Sequence, residues 1–186
     1  MIRNHFSNDI NDRILNIVGD IMPMIKDKYK CFNKTGRDWQ YNLSKEYLDE
    51  IQNPLNVSGD KYFFKFNKAL VRDSLVPLIQ ELYPNKKIRT SAHYHYPDKG
   101  YMGWHTNCKR PCRRMYITYA SEDKKSFFRY LKDGEVITDY DDKGITIREF
   151  DIPKPPDYFW HCVGSECDRY TFGFRIQESD LSSSSK

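Results

Sequence analysis

Hydrophobic residues recur every three or four positions in the first half of the chain. In residues 8–30 this spacing predicts an amphipathic helix, which Pro23 is expected to kink or end. A weaker helix is predicted over residues 44–52, and a third over residues 67–83, where Pro77 interrupts the apolar spacing. The first half is therefore expected to be mainly helical.

From residue 86 onward, short runs of alternating apolar and polar residues replace the helical spacing. They are separated by Gly, Pro, Asp and Lys. The runs are "KIRTSAHYHYP", "RRMYITYAS", "SFFRYL", "GEVITDY", "GITIREF", "WHCVG" and "RYTFGFRIQ". Because no helical pattern lies among them, they predict an antiparallel sandwich or jelly roll with helices on one outer face. The expected fold class is α+β.

Length and composition favour a single folded domain. The chain has 186 residues, enough to bury a core, and its 15% aromatic content excludes a disordered chain. We expect one domain over residues 1–177, with 1–85 as mainly helical support and 86–177 as the jelly-roll core. Residues 178–186 form a low-complexity tail that is expected to be disordered.

Charge and cysteine content limit the expected partners and the expected cellular compartment. The net charge of +4 is mild, so it permits a nucleic-acid partner without arguing for one. The odd number of cysteines, five, does not indicate a disulfide framework. No apolar run approaches the roughly 20 residues of a membrane span. We expect a cytoplasmic protein with free thiols and no membrane partner, and the oligomeric state stays open.

Two histidines and an asparagine form a candidate metal site. His105 and Asn107 lie two positions apart, so on a strand they would point to the same face. His161 begins another β run, and a jelly roll can bring such distant strands side by side. Fe(II) and Zn(II) favour imidazole ligands completed by carboxylate or thiolate. The alternative is that both histidines are packed or solvated residues without a ligand role.

Two arginines share one face of the last β run. Arg169, Thr171, Gly173 and Arg175 alternate with an aromatic face that belongs in a core. Buried guanidinium groups are costly unless they are paired, and a bound dicarboxylate would pair them bidentately. The alternative is an outward face with solvated arginines.

The order of these motifs resembles the 2-oxoglutarate- and Fe(II)-dependent oxygenases, most closely the prolyl-hydroxylase branch. That family has a tyrosine, a glycine-containing turn, His-x-Asp, a distal histidine and then an arginine or lysine. Here Tyr96 and Gly100 precede His105, His161 is the distal histidine, and Arg169 follows it. This chain departs from the pattern by having His-x-Asn in place of His-x-Asp.

The resemblance covers about residues 86–177 and implies a double-stranded β-helix with N-terminal supporting helices. It implies that His105, Asn107 and His161 ligate Fe(II), and that Arg169 binds the distal carboxylate of 2-oxoglutarate.

Three further residues have roles implied by the resemblance. The arginine strand is also similar to that of the nucleic-acid demethylases, so Arg175 is an alternative to Arg169 for the cosubstrate. Tyr119 matches a tyrosine that shares the cosubstrate carboxylate, and Tyr96 would line the pocket. Each tyrosine has plain core packing as its alternative.

The implied activity is that of a dioxygenase that hydroxylates a C–H bond, with 2-oxoglutarate converted to succinate and CO2. The implied substrate is a protein or peptidyl, prolyl-type side chain. Asn107 leaves three interpretations open: it ligates through its amide oxygen, it stands aside as in halogenating members, or the site is inactive and the jelly roll is a binding module. A nucleic-acid-modifying oxygenase is another alternative, since residues 108–114 form a basic segment.

Overall fold

The computed structural model describes residues 1–3, 6–33, 38–51 and 60–179. The helices are α1 (Asn8–Ile21), α2 (Lys45–Glu50) and α3 (Lys68–Leu82), with 3-10 turns at Met22–Met24 and Tyr41–Leu43. The strands are β1 (Ile2–Arg3), β2 (Tyr29–Asn33), β3 (Lys61–Lys65), β4 (Lys86–Tyr96), β5 (Tyr101–His105), β6 (Cys112–Ala120), β7 (Ser126–Lys132), β8 (Glu135–Tyr140), β9 (Gly144–Ile152), β10 (His161–Ser165) and β11 (Arg169–Glu178).

Polar side chains at the N-cap positions fix where α1 and α3 begin. The Ser7 side chain accepts a hydrogen bond from the backbone N–H of Ile10 at the start of α1, and Asn67 caps α3 in the same way. As predicted, α1 gives way to a 3-10 turn at Pro23. By contrast α3 continues through Pro77, because its apolar face remains packed on the sheet.

The strands form one antiparallel sheet that is rolled into two facing halves. One half has the order β1-β9-β6-β11-β4, and the other has the order β5-β10-β7-β8. Strand β3 bridges them by pairing with both β4 and β5. This arrangement is the predicted jelly roll, and every β run predicted in residues 86–177 coincides with a strand.

Three apolar clusters hold the layers together. The largest lies between α1, α3 and the outer face of β6, β9 and β11. A second, mostly aromatic, fills the space between the two halves of the rolled sheet and includes Tyr116, Phe128 and Phe150. A third packs the region of α2 against β5 and β10. The interior is therefore packed with side chains except near one end, where the candidate site lies.

The first half contains more β structure than expected. Besides the helices, residues 1–85 include β1, β2 and β3. Strand β1 pairs with β9 at one end of the sheet, β2 pairs with β3, and β3 joins the two halves of the roll. At the other end, Glu178 is still part of β11, and the remainder of the predicted tail from residue 180 lies outside the described residues. No helix in the described part of the chain is long and apolar enough to cross a bilayer.

Candidate metal centre and basic cavity

The roll brings His105 and His161 together. His105 ends β5, His161 begins β10, and the two residues are direct partners across this antiparallel strand pair. Their ring centroids lie 4.1 Å apart. The aromatic rings of Phe128, Phe150 and Phe159 surround His161, which is completely buried. Two imidazoles thus converge on one point at the end of the barrel.

Each histidine is held in the tautomer that suits a metal ligand. The Nδ1 atom of His105 lies 2.8 Å from the carbonyl oxygen of Gly103, and that of His161 lies 2.8 Å from the carbonyl of Phe159. A carbonyl oxygen only accepts hydrogen bonds, so each Nδ1 carries the proton and donates it. Each Nε2 then presents its lone pair, which is the arrangement that orients metal-ligating histidines.

Burial keeps both rings neutral. Burial lowers the pKa of His105 to about 4, and the nearby Arg114 guanidinium favours the neutral form as well. Burial also lowers the pKa of His161 far below its ordinary value, with His105 and Arg114 contributing in the same direction. Protons therefore do not compete with a metal ion for these nitrogens near neutral pH.

Asn107 reaches the same point by a turn rather than along the strand. Asn107 was expected to lie on the strand of His105, but β5 ends at His105 and Asn107 has a φ of 56°. Asparagine tolerates this left-handed conformation better than most residues. Its Nδ2 lies 3.1 Å from Nε2 of His161. The amide thus donates to the lone pair that a metal would take, and rotating the amide by half a turn presents Oδ1 instead.

A cavity of about 530 Å³ opens beside His105 and Asn107. Its wall includes Arg175 on β11 and Arg114 on β6, and Lys68, Lys109 and Arg110 complete its basic lining. No aspartate or glutamate lines it among the described residues. The cavity is within the size range of small-molecule sites and is strongly electropositive.

Arg169 lies elsewhere and already has an anionic partner. It is completely buried, and its Nε donates to Oδ2 of Asp141 at 2.8 Å. Its remaining nitrogens donate to the hydroxyls of Thr171, at 2.5 Å, and Thr118, at 3.3 Å. The guanidinium that was expected to need a bound dicarboxylate is therefore satisfied by the chain itself.

Asp141 links several strands at the end of the barrel where Arg169 lies. It also accepts hydrogen bonds from Ser126 and from the buried Arg148. Burial by itself would raise the pKa of Asp141, but the Arg169 and Arg148 guanidinium groups hold that pKa below its ordinary value. Asp141 is thus an ionised, buried carboxylate between two buried arginines.

Neither of the two predicted tyrosines lines the basic cavity. Tyr96 is buried in the barrel interior, where the Arg169 guanidinium sits 5.2 Å from its ring centroid. Tyr119 faces the opposite side of β6 from Thr118 and packs with the helix-side cluster. Because side chains alternate along a strand, Tyr119 cannot share a ligand with Arg169, and the expected role is corrected to packing.

Comparisons with solved structures find the same fold. An oxidoreductase of the 2OG-Fe(II) oxygenase family from Burkholderia pseudomallei matches with a TM-score of 0.50 and 7% identity, over 95% of this chain and 92% of that chain. The fold is that of this oxygenase. At this identity the likeness concerns the fold alone.

Two prolyl hydroxylases also match. One, from Pseudomonas putida, has a TM-score of 0.47 and 11% identity over 94% of this chain and 89% of that chain. The other, from Trichoplax adhaerens, is in complex with a hypoxia inducible factor peptide fragment and has a TM-score of 0.46 and 14% identity over 97% and 98% of the two chains. No protein-family model and no curated protein matches this sequence.

The donor set fits a divalent transition metal. Two neutral imidazoles with unprotonated Nε2 atoms and one amide oxygen would hold three positions and leave others open once the Asn107 amide turns its oxygen toward the metal, although without the usual carboxylate charge. Arg169 does not fit the expected role toward 2-oxoglutarate, because Asp141 occupies its guanidinium. Arg114 and Arg175 line the basic cavity instead, and each has an Nε atom without a hydrogen-bond partner among the described residues.

Sequence reasoning missed Asp141 and underestimated Arg114. The signal for Arg114 was present, because alternation places it on the same face of β6 as Tyr116 and Thr118. Arg114 was instead treated only as part of the basic segment of residues 108–114, but it is buried. The partner of Arg169 had no local signal, since Asp141 is 28 residues away in the chain.

Proposed function

We propose that this protein is a metal-dependent oxygenase of the 2-oxoglutarate type, with Fe(II) held by His105, His161 and the amide oxygen of Asn107. The observation that carries this proposal is the pair of imidazoles on paired strands, whose ring centroids lie 4.1 Å apart. Each Nδ1 is hydrogen-bonded to a carbonyl, which leaves each Nε2 without a proton. A hydrogen bond from the second ring nitrogen to a carbonyl is the feature that orients metal-ligating histidines.

The chain's own groups define what the site does. The backbone carbonyls of Gly103 and Phe159 orient the two rings, and the aromatic rings around His161 exclude water from one side. When bound, Fe(II) and 2-oxoglutarate supply oxidising chemistry toward a C–H bond, with succinate and CO2 as co-products. The basic cavity beside His105 is where a substrate would enter.

Hydroxylation is the expected outcome. A protein or peptidyl substrate stays a prediction that rests on the sequence resemblance. The competing function is a binding module that keeps the jelly roll but holds no iron.

An anaerobic titration separates these functions. Purified protein is titrated with Fe(II) and 2-oxoglutarate while the visible metal-to-ligand charge-transfer band of the chelate is followed. We expect the band in the wild type and its loss in His105→Ala and His161→Ala. A band in Asn107→Asp but not in the wild type would identify an inactive site, and the protein would then be a binder.

A further inference from the structure

Five buried polar atoms without partners cluster around the basic cavity. They are Thr90 Oγ1, Ser91 Oγ, His93 Nδ1, Arg114 Nε and Arg175 Nε, which have no hydrogen-bond partner among the described residues. All five residues line the same cavity, although they come from three strands. Buried polar groups are rarely left unpaired, so their concentration at one place indicates a missing ligand.

The chemistry of these atoms identifies the kind of ligand. Arginine Nε–H groups only donate, and hydroxyls can donate, so the wall offers several donors to an acceptor-rich group. Thr90 is 4% exposed and Arg114 is 5% exposed, so water replaces the missing partner poorly. We call Thr90, Ser91, Arg114 and Arg175 the basic wall.

The arginines also repel one another, because they lie side by side on adjacent strands. Arg114, Arg175 and Arg89 are direct partners across the adjacent strands β6, β11 and β4. Like charges in register destabilise a sheet. Burial lowers the pKa of Arg175, and the Arg110 and Arg114 guanidinium groups lower it further. An anion between the arginines would relieve this repulsion.

We propose that the basic wall binds an oxyanion, and that the substrate of the proposed oxygenase is a small molecule with a carboxylate or phosphate group, in place of the protein or peptidyl side chain that the sequence resemblance implies. The assignment of the bound oxyanion as a substrate rests on the proposed function, whereas the oxyanion site itself does not. The lining of the cavity carries five cationic side chains, more than a doubly charged cosubstrate would neutralise. Its volume of about 530 Å³ suits a small molecule beside the metal.

Calorimetric titration of the metal-free protein with inorganic phosphate and with malonate tests the oxyanion site. Comparing the two probes distinguishes phosphate from carboxylate chemistry. We expect Arg175→Gln and Arg114→Gln each to weaken binding of the preferred probe at least about tenfold, since each loses a charge-assisted hydrogen bond.

Arg89→Gln is the matched control, because it removes the same charge from the same row of residues but lies outside the cavity lining. It should change affinity by no more than about threefold at physiological salt. Absence of binding by both probes, or equal losses in all three variants, would overturn the oxyanion site.

The unfolding temperature gives a reading that does not depend on affinity. In anion-free buffer Arg175→Gln should unfold at a higher temperature than the wild type, because a repelled, partly unpaired cation is removed. Phosphate or malonate should raise the unfolding temperature of the wild type and of Arg89→Gln more than that of Arg175→Gln. A variant that is less stable in anion-free buffer would contradict the proposal.

Repeating the titration anaerobically with Fe(II) and saturating 2-oxoglutarate tests the assignment to a substrate. Retained binding of the oxyanion probe supports a substrate subsite. Loss of that binding would show that the basic wall serves the cosubstrate and overturn the substrate assignment. Failure of the charge-transfer band concerns the iron site alone, because the metal-free titration is measured independently of it.

Discussion

At the scale of single residues, the site depends on one hydrogen bond that an aspartate cannot make. Asn107 donates its amide N–H to Nε2 of His161, which satisfies the buried lone pair when no metal is bound. A carboxylate at position 107 would place its own lone pairs against that nitrogen. Asparagine therefore stabilises the metal-free site and weakens the metal-bound one.

Asn107→Asp is predicted to increase Fe(II) or Co(II) affinity at least about tenfold, because the added charge needs to supply only about 1.4 kcal/mol. The same variant should lower the free energy of unfolding of the metal-free protein by about 1 kcal/mol, since the hydrogen bond is lost. Metal titration and urea unfolding measure the two effects. Asn107→Ala is the control and should lose stability without gaining affinity.

Stability of the metal-free protein is predicted to fall as the pH drops from 6.5 toward 4. The pKa of His105 is lowered to about 4, so in this range the unfolded chain binds a proton that the folded chain does not. Each such histidine contributes at most about 1.4 kcal/mol per pH unit. Urea unfolding at several pH values should show a smaller slope in His105→Leu, and an unchanged slope would refute this origin.

At the scale of elements, strand pairing makes the site and helix packing supports it. His105 and His161 meet because β5 and β10 pair at those two residues. The helices α1 and α3 instead cover the outer face of the opposite half of the roll, away from the histidines. Substitutions on the apolar, sheet-facing sides of α1 and α3 should therefore change stability without changing metal affinity.

Leu75→Ala tests this separation. Leu75 on α3 is completely buried, so the substitution should cost about 2–5 kcal/mol of unfolding free energy. Leu15→Ala is the matched control on α1, where Leu15 is 45% exposed, and it should cost no more than about 0.5 kcal/mol. Metal titration of both proteins under folded conditions should give wild-type affinity, and a weakened Leu75→Ala would show that the helices position the site.

At the scale of the whole molecule, one buried carboxylate joins the two halves of the roll. Asp141 follows β8 and accepts from Ser126 on β7, and it also pairs with Arg148 on β9 and Arg169 on β11. The first two strands belong to one half and the last two to the other. The end of the barrel at Asp141 is thus polar and internally neutralised, whereas the basic cavity at the other end has no carboxylate among its described lining residues.

Asp141→Asn is predicted to lower the free energy of unfolding by about 3–5 kcal/mol, because it leaves two buried guanidinium groups without their shared carboxylate. Asp151→Asn makes the same change at an exposed position of β9 and should stay within about 0.5 kcal/mol. Denaturant unfolding compares the two. Similar small losses in both would mean that the buried network does not hold the halves together.

The sequence by itself determined the local structure and the identity of the reactive side chains. Period-two alternation predicted the β runs of residues 86–177, and helical spacing predicted the three helices, because each pattern reflects one face of one element. His105 and Asn107 were identified as neighbours at one site because they are close in the chain.

The tertiary structure decided which distant groups meet. Asp141 pairs with Arg169 because the sheet rolls until the end of β8 approaches β9 and β11. Arg175 and Arg114 line the cavity instead. Alternation along one strand shows which side chains share a face, but it contains no information about which strand lies opposite. The partner of a buried charge is set by closure of the whole roll, so it could not be deduced from any local pattern.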